Sequence, residues 1–273
     1  MSGAVAFGLL GHVYDDEVDA ASQQAQAAID QVLLHPLIRR PSTLTEEFVS
    51  RLRLTEAHAS AALAGAEIPF AAFASSLMGD SPLSIRLRAA VSVEQASRES
   101  ADVLSMSPPR ALGAWHVRAS AGAGLPEELR GRPVTSAQGS VVRDELNTGL
   151  VRLLVEDCVP AITGVVTNPQ IPAVTAAGTV HALLAAGLPF ASDNALLGRA
   201  AVRALLVARG SDPDGLLPFN AVLFADGRPA LVRQLRSAIT DGVVTRDWLL
   251  WHASLLSRAA QRALAEADRI RAR

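Results

Sequence analysis

The chain of 273 residues contains no lysine; all 25 basic residues are arginine. That absence removes several chemistries at once, because a Walker-type phosphate loop needs its lysine and a pyridoxal enzyme needs a lysine for its Schiff base. The single cysteine, Cys158, excludes an internal disulfide framework and a cysteine-rich zinc centre. Aromatic residues make up only 4% of a chain that is 49% hydrophobic, so its interior must be built from small and aliphatic side chains. Ala and Leu dominate among these, and they lose little side-chain entropy in a helix. The net charge of −2 offers no broad basic field to nucleic acid. The most apolar stretch, residues 59–78, is interrupted by Glu67 and Pro69, so no membrane span is expected. The first residues turn acidic at Asp15 without a basic leader segment, and a cytoplasmic protein of bacterial-like, arginine-for-lysine composition is expected. No HExxH, GxSxG or strand-linked GxGxxG pattern occurs, and no metal-ligand cluster is visible, so no catalytic residue is assigned.

Hydrophobic spacing is helical almost everywhere, which predicts an all-α fold. Val18, Ala21, Ala25, Ile29 and Val32 form one stripe over residues 15–33, which His35-Pro36 ends. Thr43 and Glu46 read as a capping box opening a helix that carries Phe48, Leu52, Thr55, Ala59 and Leu63. Further helices are expected over 84–104, 110–120, 141–159, 172–186 and 194–209, and a long amphipathic one over 245–273. Residues 121–140 hold glycines and prolines without period, and are expected to form a short flap-like loop with an edge strand at Val134-Thr135. His116 and His252 lie beside tryptophans, which points to packing, and His181 reads as a core histidine.

Residues 172–210 are the most informative. A helix ends at Gly187, a short loop follows, and a new helix opens near Asn194. A helix start carries unpaired amides and a partial positive charge, so the turn is a candidate anion cradle, with Asn194 as its cap and Arg199 within reach.

Here the sequence resembles the Fic (filamentation induced by cAMP) family, whose signature HPFx[D/E]GNGRxxR lies in the same helix–loop–helix setting. Aligned without gaps it falls on residues 188–199 and matches Pro189, Phe190, Asn194 and Arg199, four of nine specified positions. His181 stands seven residues upstream, where the family has a histidine, and Pro218, Arg228, Gly242 and Trp248 follow in the family's order. Ser60 and Gly65 fit part of the inhibitory-helix pattern Ser/Thr-x-x-x-Glu-Gly/Asn, and residues 121–140 lie where the family has a target-binding hairpin. The resemblance implies an N-terminal helical arm over 1–42 and a Fic-like helical domain over 43–273, with an inhibitory-helix-like segment at 43–66. Most family members transfer AMP from ATP to a hydroxyl of a target protein.

The departures fall on that chemistry. The family's general base is replaced by Leu188, its magnesium-holding acid by Ser192, its two glycines by Asp193 and Ala195, and its first arginine by Leu196. Loss of a base alone costs about 10²–10⁴-fold in rate. The inhibitory glutamate is Ala64, with Glu67 one turn on as a candidate replacement partner for Arg199. The resemblance therefore implies a pseudoenzyme that binds a protein partner and can form a homodimer, with Ser192, Asp193, Asn194 and Arg199 as a vestigial nucleotide or anion cradle. It implies no resident cofactor, ATP and magnesium having lost most of their ligands. Two alternatives stand beside it. One is a transferase of altered chemistry that uses a phosphate ligand, with Asp193 as base and Asn194 and Arg199 as anion contacts. The other is an unrelated helical interaction protein.

Overall fold

The computed structural model describes residues 15–121, 125–134 and 155–273. Helix α1 (Asp16–Leu34) starts at Asp15, whose carboxylate accepts from the amides of Glu17 and Val18. It buries the expected stripe and packs along the last helix, α13 (Arg246–Arg271). A short turn, α2 (Pro36–Arg39), leads to α3 (Thr43–Leu63). The box that opens α3 is shifted by one residue from the one expected: Ser42 and Thr45 exchange amide-to-hydroxyl bonds of 3.2 and 3.3 Å, and Glu46 takes no part. The Thr45 hydroxyl also donates to the Leu37 carbonyl at 2.7 Å, an anchor to the preceding turn that Glu46 does not have.

After a 3₁₀ turn at Phe70–Ala72 come α4 (Phe73–Ser76), α5 (Pro82–Glu99), α6 (Ala101–Met106) and α7 (Pro108–Ala119). The single helix expected over 84–104 is two helices. Its break is at Ser100, whose hydroxyl donates back to the Ala96 carbonyl and accepts from the Trp115 indole. Among residues 125–134 the flap-like segment forms a 3₁₀ turn at Glu127–Leu129, not a strand, although the Val134 amide bonds the Pro189 carbonyl at 2.9 Å. The rest of the expected edge strand, at Thr135, and the expected helix before Val155 lie outside the described residues.

Helix α8 (Val155–Thr167) runs through Pro160 instead of stopping before it, because Ala161, Ile162 and Val165 continue a buried helical stripe. Helices α9 (Ala173–Ala185) and α10 (Asn194–Ala208) form the centre of the molecule and are buried on nearly every side. Alanine and glycine make that close pairing possible. A Cβ on Gly198 would come within 2.8 Å of the His181 ring. Helices α3, α5, α6 and α7 pack around α10, and α8 and α13 around α9. Helices α11 (Phe219–Asp226) and α12 (Arg228–Arg236) precede a two-stranded ribbon of β1 (Ile239–Thr240) and β2 (Val243–Val244), antiparallel with Ile239 opposite Val244. No helix among the described residues is long and apolar enough to cross a membrane.

A buried charge cluster ties four of these helices together. Arg203 on α10 is bonded to Glu56 on α3, and at 3.2 Å to Glu94 on α5. The Glu56 carboxylate also accepts the Asn220 and Ala221 amides at the start of α11, at 3.1 and 2.9 Å. Burial pushes the Glu56 carboxyl up to about 7 against the pull of Arg203. Burial works against the Arg203 charge as well, yet Glu56 and Glu94 outweigh it and raise its pKa.

Candidate functional site

Helix α9 closes with the Gly187 amide reaching back to Ala182 and the Leu188 amide to Leu184. Gly187 is required there, since a Cβ would come within 2.3 Å of the Leu183 carbonyl and 2.7 Å of Cys158 Sγ. The loop then uses two left-handed residues that are not glycine, Leu188 (φ 52°) and Asp193 (φ 57°). Such a conformation costs roughly 1 kcal/mol for a residue carrying a Cβ, so each position is held by its surroundings. Leu188 is buried, and Phe190 is 1% exposed and lies against the His116 ring at 4.8 Å.

Asn194 is not the helix cap its residue type suggested. Asp193 precedes the helix in the cap position, without a side-chain cap bond. Asn194 instead staples the loop: its Oδ1 accepts the Phe190 amide at 2.9 Å and its Nδ2 donates to the Phe190 carbonyl at 2.7 Å. A side chain oxygen and nitrogen used together on one residue's backbone fix the loop with no regular structure to do so.

Ser192 and Asp193 do meet. The Ser192 hydroxyl donates to Asp193 Oδ2 at 2.6 Å and lies 3.4 Å from His116 Nε2. The Gly131 amide donates to His116 Nδ1 at 2.9 Å, which leaves the neutral ring's proton on Nε2, facing Ser192. Burial lowers the His116 pKa and Asp193 partly offsets it. His116 was thus read only in part: it packs on Phe190, but it also joins the loop hydroxyl. Its neighbours come from 15 and 76 residues away in sequence, and no local pattern signals them. Gly113 and Gly131 let the flap segment approach α7, because a Cβ on Gly113 would come within 2.6 Å of the Gly131 carbonyl.

Arg199 lies behind the loop. Its guanidinium is 1% exposed and donates to the carbonyls of Ala195 at 3.0 Å and Ser60 at 3.1 Å, tying α10 to the last turn of α3. Burial lowers its pKa to about 10, against the pull of Glu94, Glu56 and Asp193. The pairing with Glu67 does not occur: Glu67 is exposed beyond the turn at Gly65, and Arg199 instead meets the Ser60 carbonyl at the C-terminus of α3, where a cation is favoured. Ala64, Arg86, Ala89, Ser192, Asp193 and neighbours line a cavity of about 190 Å³ beside the loop.

No family model matches the chain, and comparison with curated proteins finds no match. Solved structures do match. A Fic family protein from Desulfovibrio desulfuricans G20 superimposes with a TM-score of 0.67 over 93% of this chain and 76% of that one, at 16% identity. Fic-1 from C. elegans does so with a TM-score of 0.61 over 91% of this chain and 72% of that one, at 14% identity. The fold is Fic-like. The resemblance carried by Pro189, Phe190, Asn194 and Arg199 is therefore one of architecture, and the Fic-like helix–loop–helix is present with its loop stapled by Asn194.

Among the described residues, those of the loop offer magnesium–ATP few ligands. No group of three or more metal-ligating side chains exists among the described residues. Ser192, at the aligned acid, is bonded to Asp193. The cavity is below the roughly 300–1,000 Å³ of small-molecule sites.

Proposed function

We propose that the chain is a catalytically degenerate Fic-like protein, a protein-binding scaffold or regulator without AMP-transferase activity. The observation that carries this reading is Leu188: an apolar, buried side chain stands at the position the resemblance gives to the general base. A base must titrate near neutral pH and reach the proton it takes, and leucine does neither. Two further features support it. Asp193 puts a carboxylate at the start of α10, where a phosphate would have to sit, and both terminal nitrogens of Arg199 are engaged by carbonyls, although its buried Nε has no partner. The Fic-like scaffold then serves as a surface.

One observation favours a second reading. The Ser192 hydroxyl bonded to Asp193 at the edge of a cavity is a polarised hydroxyl with a base beside it, as a transferase of altered chemistry would need. Calorimetric titration with ATP and magnesium separates the two. No saturable heat at millimolar ATP, with no change in melting temperature, is the expected result. Saturable binding that Ser192→Ala and Asp193→Asn weaken would overturn the scaffold reading in favour of the second.

A further inference from the structure

Residues 125–134 rest lightly on the helices beneath them. Most of their side chains are exposed, and Val134 alone among them is buried. Among the described residues two hydrogen bonds join them to other elements. The Val134 amide donates to the Pro189 carbonyl and the Gly131 amide to His116 Nδ1, each at 2.9 Å. A segment with so little buried surface opens at low cost, so one bond weighs heavily in its docking. The approach at Gly131 is also tight: a Cβ there would lie 2.8 Å from a Val117 methyl and 3.0 Å from the Gly113 carbonyl oxygen. The amide cannot turn to another partner unless the segment lifts away from α7.

His116 is the titratable member of this contact. A neutral ring accepts from Gly131 only while its own proton is on Nε2. The protonated ring is a donor at both nitrogens, so its Nδ1–H would face the Gly131 N–H across 2.9 Å. On the other side the cation has something to gain. Nε2 lies 3.4 Å from the Ser192 hydroxyl, which donates to Asp193. A charged His116 is thus repelled by the segment and attracted by the loop.

The remaining charges around the ring are engaged elsewhere or screened. Arg118 on α7 donates to Ser92 on α5, and Arg199 on α10 is turned to Ser60. Arg86 on α5 borders the cavity beside Asp193 but is exposed. Arg110 on α7, Asp102 on α6 and Asp157 on α8 are exposed as well, as are Glu127, Glu128, Arg130 and Arg132 of the segment itself. Burial lowers the His116 pKa, and Asp193 is the charge that raises it.

We propose that His116 is a proton-operated latch: the neutral ring holds residues 125–134 against α7 through the Gly131 amide, and the protonated ring releases them and turns to Ser192 and Asp193. The direction follows from linkage. Proton binding is disfavoured while Gly131 is bonded, so the released form takes the proton more readily and acidification below pH 6.5 favours release. Release bares the ring and the Pro189 carbonyl beside the signature loop. The latch stands apart from the scaffold reading: binding of magnesium–ATP would refute that reading and leave the latch untouched.

Hydrogen exchange of the full chain tests it, with protection taken relative to the unfolded peptides so that the intrinsic pH dependence cancels. Between about pH 7.5 and about pH 5, protection over 125–134 should fall by at least about threefold, with the midpoint of the His116 ring titration seen by NMR. In His116→Asn an amide oxygen that does not titrate stands near the place of Nδ1, and protection should stay constant over the same interval. Acid loosening by His181 and His252 persists in that variant, so it cannot produce the difference. Asp193→Asn keeps the ring but removes its attraction to the loop, and should move the fall to lower pH. This second variant keeps the test valid if His116→Asn fails to fold. Protection that is constant in the wild type, that falls equally in His116→Asn, or that falls at an unchanged pH in Asp193→Asn overturns the proposal.

Discussion

The buried histidine pair should make the fold acid-sensitive, and the size of the effect follows from its surroundings. His181 on α9 and His252 on α13 face each other at a ring-centroid distance of 5.4 Å, enclosed by Trp248 and Phe219. Neither ring nitrogen of His252 has a partner, nor does Nδ1 of His181. Burial lowers the His252 pKa from 6.5 to about 3, and burial followed by His252 and Arg199 holds His181 well below 6.5. A depressed histidine pKa means that the unfolded chain binds the proton first, so its share of stability is present above about pH 6.5 and is lost as pH falls toward the folded value. For His252 the loss between about pH 7 and pH 5 is about 2 kcal/mol, a sizeable part of a typical 5–15 kcal/mol. His181 adds a loss of the same sign. Glu56 opposes them: its raised pKa favours the fold below about pH 7 and returns about 2 kcal/mol over the same interval. His252→Leu isolates one component. Urea denaturation of wild type and variant at both pH values should show the variant losing about 2 kcal/mol less on acidification. At neutral pH it should be equally or more stable, because it removes two orphaned ring nitrogens. Parallel pH profiles for the two proteins would refute the reasoning.

Other consequences are equally direct. Arg203→Met leaves Glu56 and Glu94 buried without their cation and should cost about 3–5 kcal/mol by urea denaturation. That cost should be smaller once pH has fallen through about 7, where Glu56 takes a proton, than it is in alkaline solution. Gly198→Ala pushes a methyl group to within 2.8 Å of the His181 ring and should destabilise by about 1–3 kcal/mol, read as a lower denaturation midpoint. Asp193→Asn tolerates the left-handed backbone and removes the charge that raises the His116 pKa, so that pKa should fall further, as an NMR titration of the ring would register.

Much of the architecture was legible in the residues. The stripe Val18–Val32, the close of α9 at Gly187 and the long terminal helix follow from spacing, glycine and local capping, whereas α10 starts at Asn194 without the cap bond that its residue type suggests. Such features depend on residues within one or two turns of each other. Glu56 was passed over, although it lies on the buried side of α3, because a carboxylate in a helix of mixed polarity reads as surface. Only the arrival of Arg203 and of the α11 amides, 147 and 164 residues away, makes its burial tolerable.

For the loop, the residue types alone excluded a lysine-based phosphate site and removed the aligned general base, since no folding turns Leu188 into a proton acceptor. The fate of the retained residues was decided in three dimensions. Asn194 became a loop staple, Arg199 a tie between α10 and α3, and His116 a neighbour of Ser192. The physical reason is that a side chain's chemical type is local, whereas its burial and its partners depend on which helices pack against it.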